Sequence, residues 1–515
     1  MSKTPTLVVE IPLKTQPNQE ISLEAMLEAA RQLYNACLGE AMRRLRLMRQ
    51  SKSYQEAKKL KKKSKERSES FKKVREEFGF SEYSLHSFAA TIKNSWIGEH
   101  LGIHIAQKLA TRAFRAVEKV AFGFAKRVRF KRKGQLFSIE GKNNQTGLIW
   151  KQGTLKLKKL VLSGVLDASD PVIMHGVKER VKYCRLKKQV IRGKSRYSVQ
   201  LCVAGCPLSA NDRKLLRSPK AKVEESSDKI APGGSVGIDI GPSTVAIVGS
   251  QNAKLVRFCD ELESKHAEIR QLQRKLDRQR RANNPDNYDD NGTVKKGKKK
   301  WFSSQRQKQT ERELRELHRC TAAHRKSLHG ALINSLPLGE VFKLEKLSYR
   351  GFQKNFGRSV GMRAPGMFVD ELKRKALDAG GSVEEFSTKA TKLSQTCHCG
   401  KEEKKSLSER WHQCECGVHA QRDLYSAYLA RFVQDEKLDA ASAKRHWQSA
   451  ESLLRAAIEF LKSTSRKALP SSFGIRRRQS GSSAKVEIAK GKAANVVVNH
   501  ANDCRELQRA SGVSP

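Results

Sequence analysis

Two sets of residues in this 515-residue chain have the types and spacing to do chemistry. The first is a pair of short knuckles, Cys397-His398-Cys399-Gly400 and Cys414-Glu415-Cys416-Gly417. Four thiolates suit a tetrahedral structural Zn²⁺, and each glycine lets the backbone turn behind its sulfurs. The C-x-C spacing is tighter than the usual C-x₂-C, so His398 and His412 stand by as ligands that replace a sulfur if the loops strain. Four cysteines left free or disulfide-bonded are the alternative, and disulfides fit a reducing compartment poorly. The second set is acidic. Asp239 sits inside an apolar strand that runs from Gly237 to Val248, interrupted by Gly241-Pro242-Ser243. A buried, unpaired carboxylate costs several kcal/mol, so such a residue either caps the turn before Gly241 or waits for a cation.

The whole chain carries 102 Lys+Arg against 53 Asp+Glu, a formal net charge of +49, which calls for a polyanionic partner. Nucleic acid is the expected one, with anionic membrane as its rival. No run of about 18 apolar residues is present, which excludes a transmembrane helix. The first residues lack the apolar region of a secretory signal, so an intracellular, nucleoid-associated cytoplasmic protein is expected, not a secreted one. The remaining cysteines (Cys37, Cys184, Cys202, Cys206, Cys259, Cys320 and Cys504) lack framework spacing and read as reduced and structural.

The elements that must position these residues follow from periodicity. A strand over 6–13 precedes a helix over 23–48, then the basic run 58–65, in which Lys61 and Lys62 are either a solvated helix face or phosphate contacts. Helices are expected over 84–97 and 103–124. From Arg127 the period shortens to two, in runs such as Val128-Arg-Phe-Lys, Leu155-Lys-Leu-Lys and Tyr197-Ser-Val-Gln, which predicts a small β-barrel with basic side chains on one face. A polar linker spans 207–234. Three short strands follow (235–240, 244–250, 254–259), then a helical arm over 260–335 with Arg274, Arg278 and Arg281 on its polar side. A strand over 341–345 ends on Glu345, a helix covers 368–379, and a strand covers 383–387. The cysteines come next, then helix over 423–461 with a break near 435–439. The tail beyond 463 is basic and of disordered composition.

Three meandering strands, helix, strand, helix, strand, helix is the element order of the ribonuclease H-like fold. In that order Asp239, Glu345 and Asp423 fall at one edge of the sheet. Three converging carboxylates raise one another's pKa unless divalent cations lie between them. Two Mg²⁺ ions, with Mn²⁺ as a substitute, suit phosphodiester cleavage without a histidine base.

The span 237–430 resembles the TnpB proteins of insertion sequences and the related compact type V CRISPR effectors. The matching motifs are Gly237-Ile-Asp239-Ile-Gly241, Leu344-Glu345-Lys-Leu347, Thr391-Lys-Leu-Ser-Gln-Thr-Cys397 and Arg422-Asp423. Where that family reads Asp-Arg-Asp-x-Asn-Ala, this chain has Gln421, Tyr425 and Ser426 in place of the first Asp, the Asn and the Ala.

The resemblance implies an α+β multidomain chain. Residues 1–206 are expected to be a wedge β-barrel with a helical recognition insert over 22–125, and 207–234 the linker. Residues 235–463 are expected to be a RuvC-like nuclease domain with a zinc-ribbon inserted over 394–418, and 464–515 the tail. It further implies an RNA-guided DNA endonuclease that pairs a guide RNA with double-stranded target DNA beside a short flanking motif, with a homodimer on the RNA among the expected assemblies. Asp239, Glu345 and Asp423 are the expected Mg²⁺ ligands, and Cys397, Cys399, Cys414 and Cys416 the expected Zn²⁺ ligands. The rivals are a guided repressor without cleavage and a transposition accessory protein.

Overall fold

The computed structural model describes residues 6–208, 234–406, 408–464, 469 and 473–475. Most of the polar linker (209–233) and nearly all of the basic tail, including Cys504, lie outside the described residues.

The N-terminal half opens with β1 (Thr6–Pro12) and the long helix α1 (Pro17–Gln50). Leu23, Met26, Leu27, Ala30, Leu33, Tyr34, Cys37, Leu38, Ala41, Leu45 and Met48 recur at helical spacing in α1 and are buried. Then come α2 (Lys52–Lys59), α3 (Lys65–Glu77), α4 (Glu82–Lys93), α5 (Ile97–His100) and α6 (Ile103–Ala121). The helix expected over 84–97 therefore ends early, at Lys93. Lys61 and Lys62 sit exposed in the loop between α2 and α3, on no helix face.

The strands β2 (Ser138–Glu140), β3 (Leu148–Lys151), β4 (Thr154–Leu157) and β5 (Leu160–Ser163) are followed by α7 (Pro171–Lys178), β6 (Val181–Ile191) and β7 (Lys194–Ala204). They form a four-stranded antiparallel sheet, β1-β7-β6-β2, and a three-stranded one, β3-β4-β5. A bridge from Leu13 to Gly164 ties the sheets together. One core, running from Leu7 to Val203 in sequence, joins α1, α4 and α6 to these strands. Val128-Arg-Phe-Lys is not a strand: the backbone N–H and C=O of Lys131 bond the side chain of Asn35 on α1 instead of a neighbouring strand.

The C-terminal half is built on a five-stranded sheet. Its strands are β8 (Ser235–Ile240), β9 (Thr244–Val248), β10 (Ala253–Arg257), β11 (Val341–Glu345) and β12 (Ser382–Phe386), in spatial order β10-β9-β8-β11-β12. The first three are an antiparallel meander, whereas β11 runs parallel to both β8 and β12. Helices α8 (Leu262–Ala282) and α9 (Gln305–Asn334) form the arm between β10 and β11. Between β11 and β12 lie α10 (Tyr349–Arg363) and α11 (Pro365–Asp378). After β12 come α12 (Thr388–Thr391), the hairpin β13 (Trp411–Gln413) and β14 (His419–Gln421), and α13 (Arg422–Ala430). A small hairpin, β15 (Val433–Gln434) and β16 (Lys437–Leu438), precedes α14 (Ala440–Arg445) and α15 (Trp447–Thr464). This hairpin is the break expected near 435–439; Asp435 and Glu436 turn it at positive φ.

Alternation along the strands assigns the two faces of this sheet. Ile238, Ile240, Val245, Ile247, Phe342 and Leu344 pack with Phe258, Ile333 and Phe368 on one side. Ala246 and Val248 pack with α13 and α15 on the other. Asp239 and Glu345, each adjacent to residues of the first face, therefore belong to the face covered by α13. That helix lies close on β8, because a Cβ built on Gly237 would stand 1.8 Å from the carbonyl oxygen of Ala427. Backbone against backbone cannot shift cheaply, so Gly237→Ala is expected to destabilise the fold by about 3 kcal/mol. Urea denaturation followed by circular dichroism reads this as a lowered midpoint.

Candidate active site and metal centre

Parallel pairing of Leu344 with Ile238 puts Glu345 and Asp239 side by side, one residue further along adjacent strands. Asp423 enters from the first turn of α13, where a carboxylate also meets the positive end of the helix dipole. All nine residues of α13 are buried, and Gln421 caps its start by accepting a hydrogen bond from the Leu424 N–H at 2.8 Å. The Thr244 hydroxyl, at the start of β9, donates to Asp423 Oδ2 at 3.1 Å. Arg422 Nε lies 4.0 Å from Asp423 Oδ1.

The three acids thus meet on one face. Burial raises the Asp239 pKa well above its ordinary value, and the charges of Asp423 and Glu345 push it further, against the pull of Arg422 and Arg410. Burial also raises Glu345, opposed by a hydrogen bond from the Leu393 backbone. Such a set of hard oxygen donors, costly to ionise without a counter-charge, has the chemistry to hold divalent cations.

The sulfurs are drawn tighter. Among the described residues, Cys397, Cys399, Cys414 and Cys416 are the metal-ligating group whose donor atoms all lie within 4.8 Å of one another. Cys397 and Cys416 approach to 3.5 Å, as do Cys399 and Cys414. Tetrahedral Zn–S bonds of about 2.3 Å put sulfurs about 3.8 Å apart, so this cradle fits zinc. The two knuckles share one hydrogen-bond pattern. Cys397 N bonds Lys401 O and Gly400 N bonds Cys397 O; Cys414 N bonds Val418 O and Gly417 N bonds Cys414 O. Gly400 and Gly417 both turn at φ 92°, so the tighter C-x-C spacing is absorbed by glycine in the left-handed region. Slight burial opposes ionisation of Cys414, but the Cys416 N–H and the neighbouring thiols bring its pKa down to about 7, whereas burial pushes the Cys397 thiol up.

His398 and His412 do not replace a sulfur. His398 Nδ1 pairs with the Tyr425 hydroxyl at 3.1 Å, and His412 Nδ1 pairs with Lys405 Nζ at 2.9 Å while its ring stacks on Tyr425. Tyr425 also lies 3.4 Å from Cys397 Sγ and accepts from the His398 N–H at 3.0 Å. Two residues from Asp423, it ties the acid-bearing helix to the first knuckle. Sequence reading singled out Gln421 and Tyr425 only as departures from a motif. It missed Thr244 altogether, because a threonine opening a strand carries no signal of its own.

The basic residues expected to touch nucleic acid are dispersed. Arg274 and Arg278 are exposed on α8. Arg281 is built into the tip of the arm: it pairs with Asp277 at 2.8 Å, donates to Gly292 O at 2.8 Å, and covers the Tyr288 ring. Among the described residues no helix is long and apolar enough to cross a membrane.

Residues 366–429, which include the four cysteines and Asp423, match the family described as Cas12f1-like, TNB domain. No curated protein matches the sequence. A solved Cas12f1–sgRNA–target DNA complex aligns over 82% of this chain and 98% of its own, with 11% identity and a TM-score of 0.41. A CRISPR-Cas12f ternary complex aligns over the same shares, with 12% identity and a TM-score of 0.22. The TNB match covers the span where the knuckles, the capped helix and Asp423 occur together, and the chain is a relative of the TnpB and type V effector proteins.

Proposed function

We propose that the chain is an RNA-guided DNA endonuclease in which residues 235–463 form a RuvC-like nuclease domain. The observation that carries this reading is the convergence of three acids on one face of the mixed sheet: Glu345 beside Asp239 through the parallel pairing of β11 with β8, and Asp423 brought in by the first turn of α13 and held by Thr244. The strand order, an antiparallel meander followed by two parallel strands, supports it. Residues 1–206 are assigned to holding guide RNA and the DNA duplex, and 394–418 to a zinc ribbon that steadies α13. Two Mg²⁺ ions held by Asp239, Glu345 and Asp423 would supply a lowered pKa for the attacking water and charge stabilisation for the leaving 3′ oxygen.

The chain's own residues do the positioning. Thr244 fixes the rotamer of Asp423, Gln421 sets the start of its helix, and Tyr425 anchors that helix to the knuckle. The guide selects the target by base pairing, while the protein's cations neutralise phosphates without reading sequence.

The test is to purify the chain with its bound RNA, sequence that RNA, and incubate the complex with a library of matching DNA targets with and without Mg²⁺. Mg²⁺-dependent cutting confined to matched targets is expected. Matched binding without cutting identifies a guided repressor, and absence of co-purified RNA overturns the reading.

A further inference from the structure

Residues 122–137, between α6 and β2, form a strap with no regular secondary structure that the nuclease site does not use. From Lys126 to Lys133, six of eight residues are Lys or Arg and none is acidic. Interleaved with them and flanking them are phenylalanines turned outward: Phe122 is 59% exposed, Phe124 78%, Phe130 54% and Phe137 47%. Apolar rings normally bury, and four exposed in sixteen residues call for an occupant. A cavity of about 440 Å³ opens along the strap, lined by Arg127, Arg129, Phe130, Arg132 and Gln135 among others.

The strap is not loose. Ala125 N bonds Lys119 O at 2.9 Å at one end, and Phe137 O accepts from Lys188 N at 2.7 Å at the other. In the middle, Arg31 Nη1 and Asn35 Nδ2 both donate to Lys131 O, at 2.9 and 2.8 Å, and Asn35 Oδ1 accepts from the Lys131 N–H. Phe130 lies beside Gly39 of α1, where an added Cβ would stand 4.0 Å from its ring edge, in ordinary contact. The backbone is thus held by side chains of α1 while the rings and guanidinium groups are left to face outward.

We propose that this strap is a binding site for unpaired nucleotides, with bases stacking on Phe124 and Phe130 and phosphates meeting Arg127, Arg129 and Arg132. The ligand class follows from the combination: rings alone would suit an apolar partner, and cations alone would suit any polyanion. Rings alternating with cations match the alternation of base and phosphate along a single strand. A duplex keeps its base faces stacked internally and offers the rings nothing. The inference deepens the proposed function, by naming where single-stranded RNA or displaced DNA is held, but it does not depend on cleavage.

The experiment measures binding of the full chain to fluorescent oligouridine and oligothymidine of about ten nucleotides in EDTA, over a series of salt concentrations. Phe124→Ala/Phe130→Ala is expected to weaken binding at least about thirtyfold at every salt concentration and leave the salt slope unchanged. Phe124→Trp/Phe130→Trp should retain parental affinity. Arg127→Gln/Arg129→Gln/Arg132→Gln should instead lower the slope by about two. The two probes separate RNA from DNA as the source. Unchanged affinity in the Phe→Ala variant, an equal loss of a matched duplex, or no binding of either probe by the parent would overturn the proposal. A chain that cuts nothing but loses single-strand binding in this variant would refute the nuclease reading alone. Both phenylalanines are exposed, so the variants are expected to fold, and circular dichroism checks it.

Discussion

Asp239→Asn is expected to lower Mg²⁺-dependent cleavage by about 10³-fold while leaving guide-dependent DNA binding intact, since a metal-bound carboxylate supplies several kcal/mol to the transition state. The same variant is expected to melt at a higher temperature than the parent in EDTA. Burial and the charges of Asp423 and Glu345 raise the Asp239 pKa above its ordinary 3.8, so folding favours the protonated carboxyl. That contribution is fully present below the ordinary value and is lost as pH rises through the raised one. The advantage of asparagine over aspartate should therefore grow with pH in metal-free buffer and shrink when Mg²⁺ is added. Differential scanning calorimetry from acid to neutral pH reads both effects. Full activity of Asp239→Asn would remove Asp239 from the site, and a lower melting temperature in EDTA would return it to the role of a turn cap.

Cys414→Ser is expected to lose one bound zinc per chain by elemental analysis and to destabilise the C-terminal unit by about 4 kcal/mol, less than the whole zinc-binding energy of an isolated finger. The discount has a structural reason. Beneath the knuckles, Val418, Ala420, Leu424, Tyr425 and Tyr428 belong to a core that includes Leu454 and Ile458 of α15, and that core remains when the metal leaves. What should fail first is the contact of Tyr425 with Cys397 and His398, and with it the seating of Asp423. Cleavage should fall with the zinc content. Tryptophan fluorescence should change as well, because Trp447 packs against both His398 and Tyr425. Folded protein that contains no zinc, with Cys414→Ser indistinguishable from the parent, would exclude a structural metal.

Two elements show where sequence reading failed. Helix α10 was not anticipated, because Gly351, Gly357 and Gly361 interrupt its pattern and it kinks at Phe356, where φ is −125° and ψ 32°. Tertiary bonds hold it in place. Arg363 donates to Phe258 O and pairs with Glu263 at 2.8 Å, and the Ser359 hydroxyl donates to Pro242 O, in the turn just beyond Asp239. The strand expected at Val128 failed for the opposite reason. Its alternation was real, but alternation says only which residues can share a face, and Asn35 claimed the backbone groups that a strand partner needed.

The sequence by itself determined the kinds of chemistry available. It supplied the excess of cations, two cysteine knuckles of the same C-x-C-G spacing, three acids each at or next to the end of a regular element, and most of those elements, since these depend on residue type and on short periodicities. Only the tertiary structure decided which groups meet. Parallel pairing of β11 with β8 brought Glu345 beside Asp239, and the absence of a Cβ on Gly237 let α13 descend far enough to deliver Asp423. Gln421 and Tyr425, read along the chain as departures, became a helix cap and an anchor once their partners Leu424, Cys397 and His398 stood next to them. The strap of exposed phenylalanines became visible in the same way. Burial is a property of the packed chain, and no local pattern distinguishes a ring that packs inward from one held out to solvent.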